Sequence, residues 1–468
     1  MANGRCFFTP SANEELQHQA SADALDGEYA FRADPGVLPP FETYNAATRE
    51  LQGIVGACLQ DSTSLHVRGT WQPLTAGEAG GRTIDVSALR LVLEIPKRLT
   101  DAGYPGDVTK LRFVECGNTI AGLKDHLSAA GLSLKASGAD SGDTLVGALS
   151  AGSDGGVYGF GAIAEMVVGL HFIVGPDRHV YLERQSYPVM KPDFARGLSS
   201  EFRQDDALFD AALVSFGSFG ILHGIMIETR KRIRRNAVRF KRPYDATLKA
   251  AITACDPTLI PLPAMVDAVS QDRPSHFELV LVPNERAAPD SAAVIVTYEQ
   301  DDDASRGLPS SGAEESAAAD HRSGVTLAAG VGIPAGRAVE ALEVACKAYR
   351  SVGSGLAVRF SCRFVKGTKA LLGFTRFGST AILEMQAADT PKARAFVERI
   401  WSAFDDAGIP FTLHWGRFAS FLTAAGLRAR YGDSAVDQWI ASREALLEDR
   451  TVRDLFANDF ITRLGLAT

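Results

Sequence analysis

No apolar run in this chain approaches the roughly 20 residues needed to cross a bilayer. The opening Met1-Ala2-Asn3-Gly4-Arg5-Cys6 also lacks the long apolar stretch of a secretory leader, so a cytoplasmic location with no membrane partner is expected. Cysteine is scarce: six in 468 residues (Cys6, Cys58, Cys116, Cys255, Cys346, Cys362), at wide intervals and without a C-x-x-C pair. The nine histidines show no metal-ligand spacing, so neither a disulfide frame nor a metal site is expected, and the thiols read as small buried hydrophobes. A basic excess is missing too. With 48 Lys and Arg against 56 Asp and Glu the formal charge is −8, which leaves no field to gather nucleic acid and points to a small molecule as partner. G-x-G-x-x-G after a strand and G-x-x-x-x-G-K-[ST] are both absent, which removes the Rossmann and P-loop readings.

What is present is ordinary globular composition, 46% hydrophobic and 22% charged, over a length that exceeds a single core and implies two domains or one interrupted by another. Residues 1–40 end in Pro35-Gly36-Val37-Leu38-Pro39-Pro40, read as an extended arm. Leu51, Ile54, Val55 and Leu59 at helical spacing predict a helix over Thr43–Leu59, feeding a strand at Ser64–Arg68. Next come strands at Ile84–Val86, Leu91–Ile95 and Arg112–Glu115 and a helix over Thr119–Gly131. Arg230–Arg242 reads as one strand with a charged, solvated face, the alternative being an anion-binding surface or localisation signal. Beyond it, strands at Phe277–Val282, Ala293–Tyr298, Ala357–Phe364 and Ala381–Gln386 with helices Pro334–Tyr349 and Pro391–Gly408 predict a sheet covered by helices. Gln300–Ala335, rich in Asp, Ser, Ala and Gly, reads as a mobile loop.

The segment Thr144-Leu-Val-Gly-Ala-Leu-Ser-Ala-Gly-Ser-Asp-Gly-Gly-Val-Tyr-Gly159 belongs to a stretch with six glycines between Gly147 and Gly161. Residues without side chains let main-chain N–H groups approach a ligand, and successive N–H groups in turns form nests for a pyrophosphate. A purely structural loop is the plain alternative.

The segments after this loop narrow the choice: Ala162–Val180 with Gly169 and Gly175-Pro176-Asp177, then Asp206–Ala211, then Phe216-Gly217-Ser218-Phe219-Gly220-Ile221. This order resembles the FAD-binding domain of the vanillyl-alcohol oxidase and p-cresol methylhydroxylase superfamily. His414-Trp415-Gly416-Arg417 is similar to the His-Trp-Gly-Lys motif of its sugar-alcohol and aldonolactone oxidase branch, as is the close, Asp454–Phe460. The resemblance runs from about Pro40 to the end. It implies an α+β, two-domain flavoprotein in which a discontinuous FAD-binding domain (41–235 and the return 425–468) receives an inserted α+β substrate or cap domain (236–424). It implies FAD held by Gly69, Thr70, Trp71, Gln72 and Pro73, by Gly147, Gly152, Ser153, Asp154, Gly155, Tyr158 and Gly159, and by Gly217, Gly220 and Ile221.

Departures from the family pattern refine these expectations. Gln72 falls where covalent relatives carry the linking histidine, so FAD is expected without a covalent bond. His66, in the strand before it, reads as a core or surface histidine, and Cys116 matches no linkage position. Asp154 stands where many relatives have a histidine. Relatives in the sugar-alcohol branch place an acid and an arginine two residues apart on one strand, matching Ala357 and Arg359 here, so the arginine remains and the acid does not. Arg359, Arg417, Glu384 and His414 are the resulting candidate catalytic residues, with His223 as another possible base and Tyr158 as a phenol near the flavin. The expected function is an FAD-dependent oxidoreductase that moves a hydride from a CH–OH or related carbon to flavin N5, oxygen being one possible acceptor. The alternatives are desaturation, oxidative cyclisation or a non-redox step on the same cofactor, and a cofactor-free binding protein of this fold.

Overall fold

The computed structural model describes residues 5–7, 39–68, 81–138, 142–261, 273–284, 289–301, 326–352 and 355–467. Three sheets organise them. β1 (Arg5–Phe7), β2 (Leu65–Arg68) and β3 (Arg82–Asp85) form a small parallel sheet in the order β1-β3-β2. The second sheet uses β4 (Val92–Glu94), β5 (Leu111–Glu115), β6 (Leu132–Leu134), β7 (Val167–Ile173), β8 (His179–Glu183), β9 (Glu201–Gln204) and β10 (Ile221–Lys231), in the order β4-β5-β10-β7-β8-β9 with β6 on β10. β7 and β8 are buried along their whole length.

The third sheet comprises β11 (Ile233–Pro243), β12 (Arg273–Leu281), β13 (Ser291–Asp301), β14 (Thr326–Pro334), β15 (Val358–Lys366), β16 (Ser379–Ala388) and β17 (Thr412–Leu413), in the order β11-β13-β12-β15-β16-β14-β17. Its ladders are antiparallel. On β15, Val358, Phe360, Cys362 and Phe364 are buried on one face while Arg359, Ser361 and Arg363 occupy the other, and the β16 register places Glu384 beside Ser361 and Gln386 beside Arg359. The apolar face is covered by helices Ala338–Val352 and Pro391–Asp406, the second burying Phe396, Val397, Ile400, Trp401 and Phe404. Thr390 caps that helix on the Ala393 N–H and Pro391 opens it. The polar face turns toward the first domain, where Arg363 meets Asp154.

After β17 the chain returns to that domain. Helix Asp433–Leu446 packs on helix Asp206–Ala212, and helix Arg450–Leu455 packs on helix Pro39–Gln60. The architecture is α+β, with a discontinuous first domain and an inserted second one. Among the described residues no helix is long and apolar enough to cross a membrane. Cys58, Cys116, Cys346 and Cys362 are buried, and Cys255 is half-buried.

The structure corrects three expectations. Helix Pro39–Gln60 starts within the prolines assigned to the arm, because the first turn of a helix has no use for the N–H that proline lacks. Arg230–Arg242 is two strands, β10 and β11, parted at Arg232, so the second sheet ends and the third begins there. The tract read as a loop to Ala335 carries β14, which pairs on both sides with β16 and β17 and whose small residues suit a crowded ladder. The remainder of that tract, 302–325, lies outside the described residues.

Between helix Pro39–Gln60 and the second sheet lies a buried imidazole cluster. His171 Nδ1 is 2.6 Å from the Tyr44 hydroxyl and its Nε2 is 2.8 Å from His179 Nδ1. His223 stacks on Tyr44 at 4.0 Å and meets Glu115 at 3.1 Å. Burial first, then the neighbouring rings, holds His171 well below the ordinary histidine value, and His179 is lowered for the same reasons. Unfolded histidines take up protons near pH 6.5, whereas these rings in the fold do not. Their contribution is therefore present above roughly pH 6.5 and is lost as pH falls below it. The urea midpoint is expected to drop between pH 7.5 and 5.5, and His171→Gln is expected to flatten that dependence. A parallel pH dependence in both proteins would count against this assignment.

Candidate cofactor and active site

Thr144 caps helix Leu145–Ser150 by accepting the Gly147 N–H at 3.1 Å, so the Gly147 amide is occupied within the helix. The chain then turns through five glycines with positive φ: Gly152 (66°), Gly155 (72°), Gly156 (67°), Gly159 (79°) and Gly161 (135°). These positions are closed to ordinary L residues. A Cβ on Gly155 would meet that of Ala136 at 2.7 Å, while one on Gly156 or Gly159 would enter open space. Among the described residues the amides of Gly155, Gly156 and Gly159 have no main-chain acceptor. An edge of open amides beside open space suits an anionic diphosphate. The predicted cradle residues of this loop thus lie together, and Gly69, Thr70, Trp71, Gln72 and Pro73 lie outside the described residues.

The inserted domain grips the other side of the loop. Tyr158 N–H donates to Ser275 O at 2.6 Å, and its hydroxyl donates to Cys255 O, so this phenol fastens the two domains and is not free to face a ligand. His276 Nδ1 lies 2.7 Å from Gly156 O and its Nε2 lies 3.2 Å from Glu278. Glu165, just past the loop, accepts from Thr368 Oγ1 at 2.7 Å.

At the centre is Asp154. Arg363 donates to it through Nε at 2.9 Å and Nη2 at 3.2 Å, and through Nη1 to Glu384 at 3.2 Å. Gln386 Nε2 donates to the other Glu384 oxygen at 3.1 Å and takes a bond from Arg359 on its carbonyl oxygen. Arg417 Nε stands 3.8 Å from Glu384 and His414 Nε2 stands 3.9 Å from Asp154. Among the described residues Arg417 Nε and His414 Nδ1 have no hydrogen-bond partner, although both atoms are buried.

These contacts set the protonation states. Burial would raise the Asp154 and Glu384 carboxyls, yet Arg363 outweighs it: Asp154 falls well below the carboxylate range and Glu384, with help from Arg417, to about 2. Burial would lower the Arg363 guanidinium, but Asp154 and Glu384 hold it above its ordinary value. Burial first and Arg417 next lower His414 to about 4, so its ring is neutral at neutral pH. The cluster pairs fixed charges with one uncharged imidazole whose Nδ1 is unengaged.

Glu384, His414 and Arg417 therefore converge. Arg359 does not reach the acids: the arginine that does is Arg363, four residues along the same strand face, because strand and register place 363 over the glycine loop. Arg359 instead sits farther out, on Gln386. His223 belongs to the first-domain imidazole cluster, bonded to Thr48 at 3.1 Å and to Glu115. Gly217 and Gly220 take positive φ of 70° and 102° at the start of β10, where Ile221 is buried. Arg363, Gln386, Glu278 and His276 were missed by sequence reasoning; the available signal was the alternation of Arg359, Ser361 and Arg363.

No protein-family model and no curated protein matches the chain. Solved structures do. It is similar to 6-hydroxy-D-nicotine oxidase from Arthrobacter nicotinovorans (TM-score 0.57, 14% identity, covering 88% of this chain and 90% of that one). It is similar to a chitooligosaccharide oxidase (TM-score 0.57, 11% identity, covering 88% of this chain and 89% of that one). It is also similar to a VAO-type flavoprotein from Myceliophthora thermophila (TM-score 0.58, 12% identity, covering 86% of this chain and 76% of that one). Identities this low carry the fold and nothing finer, and that fold is the one this chain shares with VAO-type flavoproteins.

Proposed function

We propose that this chain holds one FAD without a covalent bond and uses it to oxidise a small organic substrate at a CH–OH or related carbon, with oxygen as electron acceptor. The observation that carries this reading is the loop of five positive-φ glycines, three of which (Gly155, Gly156 and Gly159) keep amides without a main-chain acceptor among the described residues, next to a buried cluster of Asp154, Arg363, Glu384, His414 and Arg417. The glycine loop would hold the diphosphate, and Gln72 at the linkage position leaves the flavin without a histidyl bond. Two of the structural neighbours bear the name oxidase, which agrees with this reading. The likeness of His414–Arg417 to the sugar-alcohol branch supports a hydroxylated substrate.

Bound FAD supplies the acceptor for the hydride. The neutral His414 accepts the substrate hydroxyl proton at Nδ1, which no protein group uses. Glu384, held ionised at about 2, is a weak base at neutral pH and serves to fix Arg363 and Arg417. Arg417 binds the oxygen from which the proton leaves, through a guanidinium without a hydrogen-bond partner at Nε. The clamping of both carboxylates by Arg363 favours one second reading, a desaturation, cyclisation or non-redox step in which no carboxylate base is required.

Purified protein is expected to be yellow when supplied with FAD and to release all flavin into the supernatant on acid precipitation. An anaerobic panel of alcohols and hydroxy acids is expected to bleach the visible flavin band. Failure of every compound, with dithionite still effective, would favour the second reading.

His414→Asn is expected to slow flavin reduction by about 10²-fold with little change in flavin binding. The wild-type rate should rise with pH through about 4 and then level, since the ring works in its neutral form. A rate that His414→Asn leaves unchanged would remove the base assignment.

Arg363→Met removes the principal partner of two buried carboxylates and is expected to cost about 3–5 kcal/mol of folding stability, with partial recovery in Arg363→Lys. Denaturant unfolding of the three proteins measures this, and a loss below about 1 kcal/mol would show the clamp to be solvated.

A further inference from the structure

The turn that leads into β10 takes a path the local sequence does not favour. Phe216 (φ 52°) and Gly217 (φ 70°) are consecutive left-handed residues, and only the second is a glycine. Three side chains of the last segment take three alternate carbonyls of this turn. Trp439 Nε1 donates to Val214 O at 2.9 Å, Asn458 Nδ2 to Phe216 O at 3.1 Å, and Arg443 Nε to Ser218 O at 2.9 Å. Arg443 is a fully buried cation whose hydrogen bonds go to carbonyls, its Nη2 reaching Arg453 O at 2.6 Å. Burial and the nearby Arg453 lower it to about 10, so it remains charged at neutral pH.

The opposite side of the same turn borders the glycine loop. Phe216 N–H donates to Ser150 O at 3.1 Å, a Cβ on Gly152 would meet Val214 at 3.3 Å, and a Cβ on Gly217 would meet nothing within 4 Å. The Phe216 ring also packs edge-on against Trp415 at 5.1 Å, inside the turn that presents His414 and Arg417. One strained residue thus touches the cradle, the candidate active-site turn and the C-terminal segment.

We propose that Trp439, Arg443 and Asn458 are positioning residues for the flavin dinucleotide: by fixing the carbonyls of 214, 216 and 218 they hold the Ser215–Gly220 turn against the cradle, so that cofactor affinity is set from the C-terminal segment. This rests on the glycine loop being a flavin cradle. The donors have no contact with the open space itself and act through the turn.

Two near-isosteric variants test it. Asn458→Asp keeps the oxygen that caps helix Asp459–Arg463 on the Ile461 N–H and removes the donor to Phe216. Trp439→Phe keeps a ring against Phe216 and Phe219 and removes the donor to Val214. FAD affinity of the apoprotein, followed by quenching of flavin fluorescence, is expected to weaken about tenfold in each, the worth of one hydrogen bond. Arg443→Met is expected to lose more, with partial rescue in Arg443→Lys. Tyr104→Phe, which breaks a bond to Glu228 elsewhere in the same domain, serves as the stability control and should bind FAD as wild type does. Wild-type affinity in both near-isosteric variants, or an equal loss in Tyr104→Phe, would overturn the proposal while leaving the cofactor reading intact. A wild-type apoprotein that takes up no FAD would instead overturn the cofactor reading itself.

Discussion

A single guanidinium, that of Arg363, is shared by two carboxylates that belong to different domains. Asp154 comes from the glycine loop of the first domain and Glu384 from the neighbouring strand of the inserted sheet. Removing three charges from water is costly, and the cost is met only where geometry and further hydrogen bonds are good. Here they are: Arg363 spends all three nitrogens on the two acids, and Gln386 supplies the remaining Glu384 oxygen. The consequence is positional. A loop of glycines has little conformational preference of its own, so its path depends on what holds it, and this ion cluster is its most buried attachment to the opposite domain.

The attachment is not alone, and its partners share a logic. Tyr158 on Cys255 and Ser275, His276 on Gly156 and Thr368 on Glu165 each join a side chain or carbonyl of the loop region to the inserted domain. These contacts consume the side of the loop that faces the sheet. The amides of Gly155, Gly156 and Gly159 are left without main-chain acceptors among the described residues. An irregular segment held in this way by its neighbours can keep unpaired amides at fixed positions.

Much of this was legible in the sequence, and the limits have physical causes. The glycine cluster, the order of segments and His414-Trp415-Gly416-Arg417 pointed to the fold, and the helix and strand periods located most elements of the inserted sheet. The choice between Arg359 and Arg363 was not legible. Both lie on one strand face, and which of them meets the acids is decided by the register of β15 against β12 and β16, a long-range property that local pattern does not encode. β14 escaped notice because alanine and glycine are poor strand formers in isolation. Yet Gly330 is small for a reason: a Cβ there would approach the His414 Cβ to 3.2 Å, so the bare backbone leaves room for that side chain. The helix beginning at Pro39 shows the same limit, since proline marks a break or a start depending on which side the helix lies.

The division of the inserted sheet into two faces has a further consequence for chemistry. Helices Ala338–Val352 and Pro391–Asp406 bury the apolar face, and the residues that sustain the fold, such as Phe360, Phe364, Leu383 and Phe396, stand there. Arg359, Ser361, Arg363, Glu384 and Gln386 alternate with them and stand opposite. A substitution on the polar face outside the Arg363 clamp therefore leaves the packing behind the sheet undisturbed. Arg359 reaches Glu384 only through Gln386, which donates to Glu384 directly, while Asp154 and Arg363 are fixed by the need to hold the loop. The same strands thus separate two demands, with the packing that sustains the fold on one face and the charged side chains that hold the glycine loop on the other.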